Sequence, residues 1–190
     1  GNAPSNVFFP TVSFSAGLCM LPGIGTAANF SISQGAGKTD EARKYVYSGL
    51  SATAIIGLLT GILVFLFRSQ IINLCGASTS GNVYPYAMDY LSISAIGLPF
   101  YIFALAAATT IRADGSPRYS MLFSIAGAVI NVGLDWLFMY PLGLGIKGAA
   151  AATVISQGIT FMLALMYFPR FKAFAIRIKD IRLSAPHMMD

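Results

Sequence analysis

Five stretches of the chain are continuously apolar, at about residues 7–34, 46–67, 86–111, 119–140 and 146–168. A helix rising about 1.5 Å per residue needs roughly 20 residues to cross about 30 Å of hydrocarbon, and each stretch is long enough. The second, from Val46 to Phe67, contains no charged residue. Strands of a membrane barrel would alternate apolar and polar positions over about ten residues. These runs do not alternate, so the expected fold class is all-α, a polytopic membrane bundle of about five helices. Residues 1–170 are read as one helical unit and 171–190 as a basic cytoplasmic linker.

Composition agrees with a bilayer. Of the 190 residues, 56% are hydrophobic and 10% charged, with a mean hydropathy of +0.70, against about 25% charged residues in an ordinary soluble domain. Ten of the twelve basic residues fall in "GAGKTDEARKY", "IRADGSPRY" and the tail "RFKAFAIRIKDIR"; Arg68 and Lys147 are the exceptions. Basic residues in short loops stay on the cytoplasmic side. The alternation predicts a multi-pass protein of the cell membrane with the chain start outside and the tail in the cytoplasm. The net charge of +5 thus reports orientation, and nucleic-acid binding is the weaker reading. Cys19 and Cys75 sit in a span and an outer loop, which does not suggest a disulfide framework.

Candidate chemistry is sparse. "GIGTAA" matches part of a dinucleotide fingerprint, but an apolar run precedes it where the fingerprint requires a strand, and a basic loop follows it. Gly23 and Gly25 are better read, with Pro22, as positions that soften a membrane helix. Gly57 with Gly61, Ala104 with Ala108, and the string from Gly148 to Thr153 have the spacing of close helix packing. Phe8, Phe9, Tyr84, Tyr86, Trp136 and Tyr140 near segment ends read as interfacial anchors. His187 is the only histidine and lies in the tail.

One acid stands apart. Asp135 falls within the fourth run, in "AGAVINVGLDWLFMYPLG", with Asn131 one turn earlier on the same helix face. A carboxylate in hydrocarbon costs at least about 2.5–3.5 kcal/mol, so it faces a partner or a water-filled cavity. Six residues before Pro141, it has a second reading as an acid hydrated at the outer interface. A carboxylate beside an amide oxygen suits a hard cation, or holds a proton whose loss burial tunes.

Taken in order, the R-x-x-G turn at Arg112 to Gly115, N-x-x-x-D at Asn131 and Asp135, and the G-x-G-x-x-G-A-A-x-A-T string from Gly143 to Thr153 resemble the multidrug and toxic compound extrusion (MATE) family. "PGIGTAANFSISQGAGKTDEARK" is similar to that family's second helix and following loop. The resemblance implies a six-helix lobe paired with a second lobe, alternating access, and export of organic, often cationic, drugs driven by inward Na⁺ or H⁺ movement. It implies no cofactor beyond the coupling ion. It also implies an ion site in which Asn131, Asp135 and Thr153 are joined by an Asp of the family's first helix, for which this sequence has no counterpart. The chain is therefore expected to represent helices two to six of one lobe, with the first helix and second lobe as missing partners.

Tyr90 and Tyr101 in the third run are candidates for an aromatic, cation-attracting substrate surface. A flippase for lipid-linked saccharides would want basic residues inside the spans, which have almost none. A non-transporting scaffold would leave Asp135 without a role in the membrane. An enzyme lacks any pair of titratable side chains at catalytic spacing in the spans.

Overall fold

In the computed structural model, which describes residues 3–74 and 83–171, each apolar run lies in a long helix. These are α1 (Ala3–Gly35), α2 (Thr39–Leu66), α4 (Val83–Ala113), α5 (Pro117–Met139) and α6 (Gly145–Tyr167); a short α3 (Arg68–Leu74) follows α2, and a 3-10 turn closes the described chain at Phe168–Arg170. Among the described residues, four helices are long and apolar enough to cross a membrane: Thr39–Leu66, Tyr84–Ala113, Pro117–Met139 and Gly145–Arg170. The basic tail from 172 onward, and the loop 75–82 containing Cys75, lie outside the described residues.

Two turns of the same construction join helices at one end. Gly37 and Gly115 take φ of +74° and +72°. The next amide bonds back five residues in both, from Lys38 to the Ser33 carbonyl at 2.9 Å and from Ser116 to the Ile111 carbonyl at 3.2 Å. Glycine adopts this left-handed geometry without a Cβ clash, and the bonds satisfy carbonyls that a helix end leaves open. Pro117 then starts α5 where its missing N–H costs nothing.

Helix α4 is the hub, touching each of the other long helices, while α5 packs mainly on α6. The pairs Asp89–Lys147 (3.2 Å), Phe103–Phe161 and Tyr167–Asp114 progress in step along α4 and α6, which therefore run parallel, with α5 returning between them. One core cluster joins Phe30, Val46, Ile111, Tyr167 and Phe171 at the Arg112 end, and a second joins Val64, Ile72, Leu91 and Leu98 towards the other.

Small residues set the helix spacing where the sequence places them. A Cβ on Gly57 would come within 3.2 Å of the Pro99 Cα, and one on Gly61 within 2.9 Å of the Ala95 carbonyl oxygen. Pro99, inside α4, has no N–H to offer that carbonyl. The bare Gly61 backbone instead lies against it. Gly23 of "GIGTAA" packs on Ala106, and Thr109 Oγ1 donates to its carbonyl at 3.3 Å. The motif lies inside α1, with no strand among the described residues, so its glycine serves helix approach. Gly61→Val is expected to wedge α2 from α4 at a cost of about 1–3 kcal/mol, read as a lower melting temperature in detergent; an unchanged melt would show that the approach is not needed.

Candidate functional site

Hydroxyls in apolar helices ordinarily bond back to their own helix. Thr153 Oγ1 donates to the Ala149 carbonyl at 3.0 Å, Ser124 Oγ to Ser120 at 3.0 Å, and Thr160 Oγ1 to Ser156 at 2.9 Å. Each then has its donor used and its lone pairs open to another partner.

Around Thr153 the structure gathers residues from three helices. The Tyr90 phenol of α4 is hydrogen-bonded to the Thr153 side chain of α6 and lies within electrostatic reach of Asp135 on α5. Asn131 stands one turn from Asp135 on the same face. Two polar atoms of this face are buried without a hydrogen-bond partner among the described residues, Asn131 Nδ2 and Asp135 Oδ1. In a membrane interior such atoms cost about 1–3 kcal/mol each, more for a charged group, unless something binds them. Trp136, the next residue, is exposed on another face.

Three of the five candidate residues are therefore drawn together with Tyr90, and the fifth lies apart. Tyr101, three turns along α4, lines a cavity of about 320 Å³ between α4, α5 and α6 that Asn131 and Thr153 also reach. Tyr90 belongs with the polar cluster; Tyr101 belongs to the cavity wall.

The structure adds residues that the sequence reading leaves out. Gln157 lies in the cavity wall with its Oε1 buried and unpartnered, and Ser120, 2% exposed, has an unpartnered Oγ. A polar amide in an otherwise apolar run was the available signal for Gln157. Asp114, in the stretch "IRADGSPRY" between two apolar runs, is buried, and the Tyr167 hydroxyl donates to its Oδ2 at 2.9 Å. No group of three or more His, Cys, Asp or Glu side chains gathers at metal-binding distance among the described residues. The polar cluster has one carboxylate supported by neutral oxygens.

Known proteins resemble this chain over most of its length. The MatE family model matches residues 3–137. The chain is similar to the multidrug export protein MepA of Staphylococcus haemolyticus, at 31% identity over 141 residues, covering 73% of this chain and 31% of that protein. It is similar to the probable multidrug resistance protein YoeA of Bacillus subtilis, at 30% over 173 residues, covering 87% and 35%. A crystal structure of MATE in complex with MaD5 superposes with a TM-score of 0.85 at 25% identity, over 96% of this chain and 42% of that one. The chain spans about a third of the length of these curated relatives.

Proposed function

The chain belongs to the multidrug and toxic compound extrusion family, whose model is MatE, and from that premise we propose that it serves export of organic, often cationic, compounds by Na⁺ or H⁺ antiport with alternating access. The observation that carries this reading is the meeting of Asn131, Asp135, Tyr90 and Thr153, with two buried polar atoms left open. Asp135 Oδ1 is open to a cation or a proton. Asn131 Nδ2 is open to an acceptor, which a second carboxylate would supply. Filling both sites relieves the cost of two unpaired groups, so ion binding has a favourable free energy to draw on.

In the cycle, an ion arriving from outside settles between Asp135, Asn131 and Thr153, neutralising the carboxylate. Tyr90 bridges to Thr153 from α4, so occupancy is felt by the hub helix of the bundle. Coupling requires that the ion-bound and drug-bound arrangements differ in affinity, since a ligand shifts an equilibrium only by its differential binding. Tyr101 offers an aromatic face to an organic cation in the adjoining cavity. The end bearing Lys38, Arg43, Arg112 and Arg118 faces the cytoplasm by the distribution of basic residues, in the cell membrane. The cavity wall contains no Lys or Arg, which disfavours a lipid-linked pyrophosphate as cargo.

The test uses cells stripped of their own exporters, expressing the protein and loaded with ethidium. An imposed inward Na⁺ or H⁺ gradient should accelerate loss of the dye. Loss that ignores both gradients would sink the antiport reading.

A further inference from the structure

A small groove lies between α5 and α6 at the basic end of the bundle. Tyr119 and Phe123 of α5, Leu163, Met166 and Tyr167 of α6, and Arg170 of the 3-10 turn enclose about 170 Å³. The groove faces outward, since Met166 is 71% and Tyr119 43% exposed. Its polarity is graded along the helices. Arg170 and Tyr119 stand at the helix ends, whereas Phe123 lies one turn further in and Leu163 about two. A cation at the surface, aromatic rings at the interface and an apolar depth follow the order of a phospholipid's headgroup, interfacial region and acyl chain. We propose that this groove seats one anionic phospholipid of the cytoplasmic leaflet, with its acyl chain against Phe123 and Leu163 and its headgroup at Arg170. The proposal rests on the orientation of the bundle given above and not on the antiport.

The lining supplies both parts of that match. The Tyr167 hydroxyl is committed to Asp114 at 2.9 Å, so what Tyr167 offers the groove is its ring. That ring packs 5.3 Å from Tyr119 and 6.4 Å from Phe123. Three rings from two helices thus form a continuous apolar surface, of the kind a hydrocarbon chain covers. Arg170 is the one charged side chain lining the groove among the described residues. It is exposed and has no ion-pair partner among them. Arg118, next to Tyr119 in the chain, is exposed and unpaired on the same terms. The nearest acid in the chain, Asp114, is buried and held by Tyr167, so it does not neutralise this surface.

Charge selects among the occupants. An organic cation would meet Arg170 as a like charge. A second copy of this chain, with a net charge of +5, would bring its own basic end against this one. A zwitterionic lipid carries a cation of its own to the same surface. A phosphodiester with net negative charge suits a guanidinium, whose planar fork can bind two phosphate oxygens at once. Anionic lipids give the cytoplasmic leaflet its negative potential, and basic pockets between helices on that side hold their headgroups.

The test follows lipid occupancy at the groove itself. With Trp136 replaced by Phe, Met166→Trp leaves the single tryptophan of the chain on an exposed position of the groove wall. Leu122→Trp in the same background is the control, because Leu122 is exposed beside Phe123 in the chain but does not line the groove. Each chain is held in nanodiscs of phosphatidylethanolamine and phosphatidylglycerol, with one or the other lipid brominated in its acyl chains to quench the tryptophan. At Met166→Trp, phosphatidylglycerol should compete about fivefold better than phosphatidylethanolamine, the factor expected for one basic side chain at the surface. At Leu122→Trp the two lipids should compete equally. Arg170→Gln should bring the fivefold preference close to one, and Arg170→Lys should keep most of it. Equal competition at Met166→Trp would mean unselective boundary lipid and overturn the proposal. So would the same preference at Leu122→Trp, which means general surface charge, or a preference that survives Arg170→Gln, which means another base holds the headgroup. Quenching lost at Met166→Trp alone would overturn it too, showing that protein covers the groove.

Discussion

Asp135→Asn is expected to abolish ion-driven export of organic cations while leaving the bundle at least as stable as the wild type. The substitution keeps the size of the side chain, removes its charge and exchanges one acceptor oxygen for an N–H₂ donor. Burial of Oδ1 without a partner means that the carboxylate is held at a cost, and intramembrane acids cost at least about 2.5–3.5 kcal/mol. An amide at the same place costs less, so melting temperature should hold or rise. A cation at this site loses a charged ligand worth about 1.5–3 kcal/mol, so its affinity should fall roughly tenfold to more than a hundredfold. Trp136, the single tryptophan of the chain, is the next residue. Its fluorescence during a Na⁺ titration gives a binding readout independent of transport. Export by Asp135→Asn that is undiminished and equally ion-dependent would refute the assignment. Thr153→Ala, removing a neutral ligand that also bonds Tyr90, should weaken the ion by a smaller factor.

The helices were legible in the chain because a bilayer demands long apolar runs, and Val46 to Phe67 leaves little choice. The short α3 was not, since "RSQIINL" is only seven residues long and polar at most positions, and its one buried residue, Ile72, is fixed by α4. The site was half legible. Asn131 and Asp135 stand out because an acid one turn from an amide in hydrocarbon has few cheap explanations. Tyr90 was found as an aromatic and is instead joined to Thr153 by its hydroxyl, a pairing between helices that spacing along one chain does not encode. Serines and threonines of the cavity were hidden for another reason. A hydroxyl bonded to its own helix looks alike in sequence whether its oxygen faces lipid or a polar space.

Asp114 shows how a local signal misleads. Standing beside Gly115 in a turn with φ of +72°, it has the setting of a solvated loop acid. Its partner is 53 residues away, the Tyr167 hydroxyl at the end of α6, and the pairing exists only because α4 and α6 run parallel to a common end. The Tyr167 ring lies 5.3 Å from that of Tyr119 and 5.5 Å from that of Phe171, in edge-on and tilted geometries. One residue thus ties the α4–α5 turn, α5 and the 3-10 turn together.

Tyr167→Ala should be the most damaging change to stability considered, for it deletes a 3% exposed ring and the hydrogen bond at once. Aromatic deletions from packed cores cost about 3–5 kcal/mol, which for a chain of this size lowers the melting temperature by about 10 °C. Tyr167→Phe separates the two contributions. It keeps the ring contacts and withdraws one donor from a buried carboxylate, a loss of about 1.5–3 kcal/mol. Asp114→Asn should cost less than Tyr167→Phe, because its amide oxygen still accepts the phenol proton without the burden of a charge. The order of melting temperatures in nanodiscs is therefore expected to be wild type, Asp114→Asn, Tyr167→Phe, Tyr167→Ala. A Tyr167→Phe protein as stable as the wild type would mean that the aromatic packing alone holds this end. An Asp114→Asn protein less stable than Tyr167→Phe would mean that the carboxylate's charge, rather than its bond to Tyr167, is what the turn requires.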